Sequence, residues 1–511
     1  MDITVHTDKI RGRADHFWAA AGLDELFPLL NTESGEYLLK RMQTKKTCRY
    51  LRNHYTLSTC FRSGLRCGGD VYKEDIAGNP VYDFTWINNA LAQMVKYGIK
   101  PIVEMDFMPS ALCTKTCTVQ EGTGEIQTDR YKPNDWEKWS QLLKAFTENL
   151  RDTFGIDEIR TWYFEVWNEP DSWPVDTWSE FYRMYDIFVN AVTGVDDQLR
   201  VGGPGCFKNS FMHSFLNHIT NGKNYITGQK GSRIDFISYH IYGMSGGWLN
   251  EYPLIMPTVQ RFTQELMWLS RTIDAYPSLK SVEIHLNEWG VVSNYERDSQ
   301  TYPVLNLRNS EYSALFMVKL VDCIYELQTK YHLPLSMMLY WGFCGEDYFD
   351  LLFNGNRSLT TAHHISKPIE TAHELLAMMG DQLLLTEGLK PGSTSGCFAT
   401  KSDNDVQIML YRFDENDLDG NGINETYNIE LLGLPNRDCQ ADIYIMDGTH
   451  HNTYRHWQRM GAKEHLSKTE IDDLINEGKI QVSETAFLSH ENKLMLTVPA
   501  QSLMLISIHI K

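Results

Sequence analysis

The stretch "YFEVWNEPD", Tyr163 to Asp171, decides how this chain is read. It opens as a strand meant for burial, since aromatic and β-branched residues fit a pleated, covered surface. It closes on Trp167, Asn168 and Glu169, and a carboxylate at the end of a buried strand is costly unless something pairs with it or uses it.

Working outward, the same pattern recurs between about residues 45 and 380: a short apolar strand, a polar loop, then a helical stretch. The strands are "CRYLRNH" (48–54), "KPIVEMDFM" (100–108), "YFEVWNE" (163–169), "LRVGGPG" (199–205), "IDFISYHIY" (234–242), "SVEIHLNEW" (281–289) and "LSMMLYWGF" (335–343). Between them lie amphipathic runs such as "DWEKWSQLLKAFTENLRDTF", with apolar residues at helical spacing. A further strand near 11–20 makes eight. Strands alternating with helices imply a parallel sheet, and eight such units suggest an α/β (β/α)8 TIM barrel; an open doubly wound sheet is the rival.

After residue 380 the texture changes to strand runs such as "DVQIMLYRF", "TYNIELLGL" and "KLMLTVPAQSLMLISIHI" with turn residues between them, an accessory all-β sandwich domain. The opening "DITVHT" alternates like a strand of that module. The expected division is residues 1–10 as a strand joining the sandwich, 11–380 as the barrel and 381–511 as the sandwich.

Composition narrows the partners. Lys and Arg number 47 against 66 Asp and Glu, a net charge of -19, which argues against nucleic acid and anionic membrane surfaces. Aromatics reach 12% of the chain, which suits stacking on sugar faces, although any single one can be core filler. The N-terminus lacks the apolar core of a signal peptide and no run of eighteen apolar residues follows, so the chain as written is expected in the cytoplasm unless a leader was removed. Ten cysteines are scattered, and Cys113 and Cys117 have no matching pair to complete a zinc site. Oligomeric state is not legible, and a homo-oligomer stays open.

Barrel enzymes carry their reacting groups at the C-terminal ends of strands. There the chain places Arg52 and His54, Glu104, Asn168 and Glu169, His240 and Tyr242, Glu288, and Trp341. Two carboxylates on opposite sides of one mouth, Glu169 and Glu288, are the raw material for acetal hydrolysis. One group protonates the leaving oxygen while the other attacks the sugar or activates water.

The ordered set "RNH" (52–54), "PIVEMDFMP" (101–109), "FEVWNEPD" (164–171), "DFISYH" (235–240), "NEWG" (287–290) and "SKPIETAHELL" (366–376) resembles glycoside hydrolase family 39, which includes β-xylosidases and α-L-iduronidases. The likeness runs through the terminal module, where "YRHWQRMG" (454–461) is similar to a segment of the family's sandwich. "WNEP" alone recurs in related barrel glycosidases; the ordered set is far more specific. The resemblance implies Glu169 as general acid/base, Glu288 as nucleophile and retention through a covalent glycosyl-enzyme. It also implies Asn168 on the sugar 2-hydroxyl, Arg52 and His54 beside the nucleophile, His240 and Tyr242 on the adjoining wall, and Trp341 as a platform under the sugar.

The chemistry asks for both states. The nucleophile must stay ionised, which Arg52 and the Tyr242 hydroxyl favour. The acid must hold its proton, which burial and a charged Glu288 favour, and it must yield that proton once Glu288 is glycosylated. Blander readings stand beside these: Glu104 as an internal partner of Arg52, His240 as a satisfied core histidine, Trp341 as packing. Pleat alternation places Glu165, Trp167 and Glu169 on one face and Asn168 on the other, so Asn168 reaches substrate only if the strand end is irregular. "DLDGNG" (417–422) starts like a calcium loop but has Asn428 at the twelfth position, and reads as a polar hairpin turn. Asn424 begins a glycosylation sequon that matters only in a secreted chain.

One departure bears on the sugar. Xylosidases of the family carry "WTFSD" after strand eight and then two glutamates that reach the distal hydroxyls. Here the run is "WGFCGEDYFD" (341–350), with Glu346 or Asp347 as substitutes through another loop path, and Trp248 as a candidate stacking residue on the leaving-group side. The expectation is a retaining exo-glycosidase, needing no cofactor or metal, acting on a small oligosaccharide or glycoside with β-xyloside first. The alternatives are a relative acting on an arabinoside, galactoside, glucoside or uronide, and a binding protein that has lost turnover.

Overall fold

The computed structural model describes the chain except residues 25, 63–64, 69, 116, 122–123, 129, 173–176, 245–255, 294–297, 345–351, 362, 404, 419, 435–438, 489–490 and 511. Trp248, Glu346 and Asp347 therefore lie outside the described residues.

Eight parallel strands close a barrel in chain order: Ala20–Leu23, Tyr50–Asn53, Lys100–Met105, Tyr163–Val166, Arg200–Cys206, Phe236–Met244, Glu283–Val292 and Leu335–Trp341. The eighth strand pairs back to the first through Tyr340 with Ala21 and Trp341 with Gly22. A helix follows each strand. The one after strand three, Trp136–Phe154, shows why: Asp135 caps its first turn through the backbone N–H groups of Glu137 and Lys138. Trp139, Leu142, Leu143, Phe146 and Leu150 recur at three- and four-residue spacing on the buried face.

The first barrel strand, Ala20–Leu23, begins only at the last residue of the 11–20 window near which it was expected. Residues before it pack without joining the sheet, with the Phe17 and Trp18 rings set edge-on against Tyr325 at 5.5 and 6.1 Å. The chain's opening strand, Asp2–Arg13, extends past residue 10. It pairs antiparallel with Gln382–Glu387 and parallel with Glu425–Leu432, so the N-terminus is the seventh strand of a nine-stranded sheet. One apolar cluster joins both halves of that sheet, from Ile443 and Ile506 to Ile429 and Leu496, as a sheet folded over into a sandwich requires.

Two details differ from expectation. The sandwich is not wholly β, because helices Thr453–Arg459 and Lys468–Glu477 interrupt the path from Cys439–Met446 to Glu484–Leu488. The segment "YRHWQRMG" lies there, and its Arg455 grips Glu311, the first residue of the helix after barrel strand seven, at 2.5 Å. The "DLDGNG" loop is not a hairpin, since the flanking strands Asp405–Arg412 and Glu425–Leu432 are not neighbours in the sheet. Asp417 closes the loop by accepting from the backbone N–H groups of Asn421 and Gly422. Among the described residues no helix is long and apolar enough to cross a membrane.

Candidate active site

Inside the barrel an apolar layer of Ala20, Ile102, Tyr163, Phe236, Met337 and Leu339 fills the lower part of the core. Above it, toward the C-terminal ends of the strands, the core turns polar around Arg52, which is wholly buried. Its Nε donates to Glu165 at 2.9 Å and its Nη1 to Glu288 at 3.0 Å. Its Nη2 donates to Asn168 at 3.2 Å and lies 2.9 Å from Glu104. One guanidinium thus organises three carboxylates and an amide, using the rigid fork that distinguishes arginine from lysine. Burial alone would lower the Arg52 pKa, but Glu104, Glu165 and Glu288 raise it further, so the cation is permanent.

Strand irregularities aim the two candidate carboxylates. On strand seven the register slips between Leu286 and Trp289, and consecutive residues Asn287 and Glu288 both turn inward. Asn287 donates to both oxygens of Glu165, and Glu288 meets Arg52. After strand four the backbone leaves the pleat: Trp167 and Glu169 have φ of 68° and 44°, a left-handed conformation that side chains adopt only when their surroundings hold them there. The Glu169 N–H donates to Gly205 O at 2.9 Å, and Gly205 itself, at φ 57°, has no room for a Cβ without crowding Glu165 and Arg52. This is the irregularity that Asn168 needed to turn toward the barrel axis.

Glu288 is the most heavily served group. Its Oε1 accepts from Arg52 and lies 3.4 Å from His54 Nε2, and its Oε2 accepts the Tyr242 hydroxyl at 2.9 Å and lies 3.6 Å from His240 Nδ1. Burial would raise its pKa, but His240, His54 and Arg52 together hold the carboxyl well below the ordinary range. His54 is fixed by Glu104, whose Oε2 is 2.9 Å from Nδ1; burial opposes the imidazolium, and Glu104, Glu288 and Asp24 together more than offset it. Asp106, pushed up to about 6 by burial, accepts from the backbone N–H groups of Tyr55 and Thr56 and so secures the turn that carries His54.

Glu169 is more open, with its side chain one-fifth exposed, and its Oε1 lies 2.9 Å from His240 Nδ1. A Glu169 oxygen, a His240 nitrogen and a Glu288 oxygen all fall within 4.8 Å of one another. Trp341 packs beside this group, its ring centroid 4.6 Å from that of His54 and 5.3 Å from the Arg52 guanidinium, and it lies flat across Gly22, where a Cβ would strike the indole at 2.3 Å. All eight site residues expected from the sequence, Arg52, His54, Asn168, Glu169, His240, Tyr242, Glu288 and Trp341, therefore converge on one mouth.

Several partners were not singled out by the sequence. Glu165 signalled itself only as a carboxylate inside an apolar strand, and Asp106 as a second acid two residues after Glu104. Asp24 and Arg357 carried no signal: Asp24 directly follows strand one, and Arg357 donates to the Tyr242 hydroxyl at 3.1 Å from a segment beyond strand eight. A mouth built of one ionised carboxylate on an arginine, a second carboxylate beside a histidine and an aromatic wall can protonate a leaving oxygen and attack the carbon it leaves.

Comparison with known proteins agrees with that chemistry. The chain is 26% identical over 505 residues to a beta-xylosidase of Caldicellulosiruptor saccharolyticus, covering 95% of this chain and 93% of that protein. It is 22% identical over 360 residues to the alpha-L-iduronidase of Mus musculus, covering 63% and 54%. Its fold superposes on the crystal structure of a monomeric beta-xylosidase from Caulobacter crescentus with a TM-score of 0.82 at 22% identity, over 99% of each chain. The sequence pattern of the glycosyl hydrolases family 39 spans residues 1–490. With nearly the whole chain inside that pattern and a pair of carboxylates at the barrel mouth, the protein belongs to glycosyl hydrolase family 39 and is a glycoside hydrolase.

Proposed function

We propose that this enzyme cleaves glycosides with retention, with Glu288 as nucleophile and Glu169 as acid/base. The observation that carries the reading is the approach of a Glu169 oxygen and a Glu288 oxygen within 4.8 Å. Retaining enzymes hold their carboxyl groups roughly 5 to 5.5 Å apart, whereas inverting ones leave about 6.5 to 9.5 Å for a water. Glu169 protonates the glycosidic oxygen as Glu288 Oε attacks the anomeric carbon, the aglycone departs as an alcohol, and a glycosyl ester remains on Glu288. Glu169, now a carboxylate, takes a proton from water, whose oxygen attacks the same carbon and frees Glu288. Asn168, held by Arg52, hydrogen-bonds the 2-hydroxyl, His54 and Tyr242 steady the nucleophile, and Trp341 lies beneath the ring.

For the sugar, a β-xyloside is the first reading, supported by the beta-xylosidase likeness over 93% of that relative's length. A uronide is the second, supported only by the partial likeness to the alpha-L-iduronidase of Mus musculus. The enzyme works in a reducing cytoplasm, a reading that the six free cysteines among the described residues suit.

The test is a panel of nitrophenyl β-xyloside, α-arabinoside, β-galactoside, β-glucoside and α-iduronide, run on wild type, Glu288→Ala and Glu169→Ala. The expected result is preference for β-xyloside, no turnover by Glu288→Ala, and azide-rescued turnover of activated substrates by Glu169→Ala with a β-glycosyl azide product. A glycosyl azide of inverted configuration relative to its substrate, or unimpaired cleavage of a poor leaving group by Glu169→Ala, would overturn the roles.

A further inference from the structure

Two glutamates expected after strand eight to read the distal hydroxyls of the sugar are absent from "WGFCGEDYFD", which leaves open what holds that end of the ring. We propose that Asp24, at the end of barrel strand one, is that group, and that it selects a neutral glycone by accepting a hydrogen bond from a hydroxyl remote from the anomeric carbon. The inference deepens the proposed function and rests on Glu288 as the nucleophile.

Three contacts place Asp24 in the same mouth. Its Oδ2 accepts from the Trp341 indole N–H at 3.3 Å and from Arg357 Nη2 at 3.4 Å. Its Oδ1 is 3.5 Å from His54 Nε2, the nitrogen that also lies 3.4 Å from Glu288. A single imidazole edge therefore separates Asp24 from the nucleophile, on the side of strands one and eight, nearly across the barrel from Glu169 on strand four. A ring whose first carbon meets Glu288 and whose leaving oxygen meets Glu169 points its third and fourth carbons that way.

The carboxylate has capacity to spare. It offers about four lone-pair directions, and the three protein contacts are all long. Its side chain is 17% exposed where those of Arg357 and His54 are 9% and 4%, so it is the group of this cluster that a sugar can still reach. Arg357 is in the opposite position: it donates to Tyr242, to Ser293 O at 3.0 Å and to Asp24 itself. A uronate arriving here would meet the Asp24 charge beside an arginine already engaged, whereas a hydroxyl donor meets an acceptor. The wall therefore favours neutral sugars over uronides.

The test couples the residue to a substrate atom. Wild type and Asp24→Ala are assayed on the best glycoside of the panel and on its 3-deoxy and 4-deoxy analogues, with thermal melts in parallel. A hydrogen bond to a charged group sets the scale, about 10- to 150-fold in kcat/KM. Wild type should lose that factor on at least one deoxy analogue. Asp24→Ala should lose it on the parent sugar and lose little more on that analogue. A residue that only shapes the fold would lower all three substrates alike and leave the discrimination intact, and that result would overturn the proposal. If Asp24→Ala does not fold, Asp24→Asn, which keeps the shape and drops the charge, carries the same comparison, and unchanged discrimination is again fatal. A panel led by another neutral sugar counts against the β-xyloside reading alone, while one led by the uronide sinks the role given to Asp24.

Discussion

Tyr242 donates its hydroxyl proton to Glu288 Oε2 at 2.9 Å, and because Arg357 donates to the same phenol oxygen at 3.1 Å, that proton is directed toward the carboxylate. The bond favours the charged form of Glu288. Tyr242→Phe should lower kcat/KM by about 10- to 150-fold, the range for a hydrogen bond to a charged group. It should also move the acidic limb of the pH profile upward. The sign follows from the state required: activity needs the carboxylate and is lost as pH falls through its pKa, so removing a donor raises that pKa and activity fails at a higher pH. Profiles of kcat/KM for the two enzymes check both, and an unshifted limb would remove Tyr242 from the control of Glu288.

Arg52 ties three strands together through Glu104, Glu165 and Glu288. Replacing it with Met leaves buried carboxylates without their cation, a loss of about 3–5 kcal/mol. Carboxyls left this way hold protons more tightly folded than unfolded, so folding gains stability as pH falls toward the unfolded carboxylate range. Denaturant melts of wild type and Arg52→Met at pH 8 and pH 5.5 should show the gap narrowing at the lower pH, and a constant gap would mean that the protein relaxes around the missing charge.

Much of this architecture was legible. The alternation of strands and helices disclosed the barrel, because strands covered on both faces are apolar throughout and their helices carry one buried stripe. Glu169 and Glu288 stood out as acids ending such strands. What stayed hidden depends on backbone detail or on distant residues meeting. The register slip at Asn287 and the left-handed Trp167 and Glu169 leave no mark in a two-residue period, so pleat counting put Asn168 on the wrong face. Asp24 and Arg357 are separated by most of the barrel in sequence and meet only because strand eight closes on strand one. The helices around "YRHWQRMG" were missed because strands on both sides carried the reading of that module, and Arg455 has a purpose only once Glu311 is beside it.

His240 gives a way to isolate the acid step. Its Nδ1 lies 2.9 Å from Glu169 Oε1 and orients the group proposed to protonate the leaving oxygen. General acid assistance is worth about 10²–10⁴-fold and matters most for poor leaving groups. His240→Asn should therefore slow hydrolysis of a methyl or sugar aglycone by about tenfold or more relative to a dinitrophenyl aglycone. The check is the slope of log kcat/KM against leaving-group pKa, which should steepen; a uniform drop across the series would assign His240 to Glu288 instead.

Asp322 sits in the junction between barrel and sandwich, where it accepts the Tyr411 hydroxyl at 2.9 Å. Burial pushes its carboxyl up to about 7, with Tyr411 and Arg11 pulling the other way. An unfolded aspartate titrates near 3.9, so between about pH 4 and pH 7 the folded protein binds the extra proton and its stability declines as pH rises. Asp322→Asn keeps an acceptor for Tyr411 and cannot ionise, which removes that decline. Relative to wild type the variant should gain about 1–4 kcal/mol between pH 5 and pH 8. Urea melts at the two pH values measure it, and equal differences at both would show that Asp322 is ionised throughout. Because the barrel helix and the sandwich strand share this bond, the same melts report whether the two modules unfold together, as a single coincident transition by tryptophan fluorescence and far-UV circular dichroism.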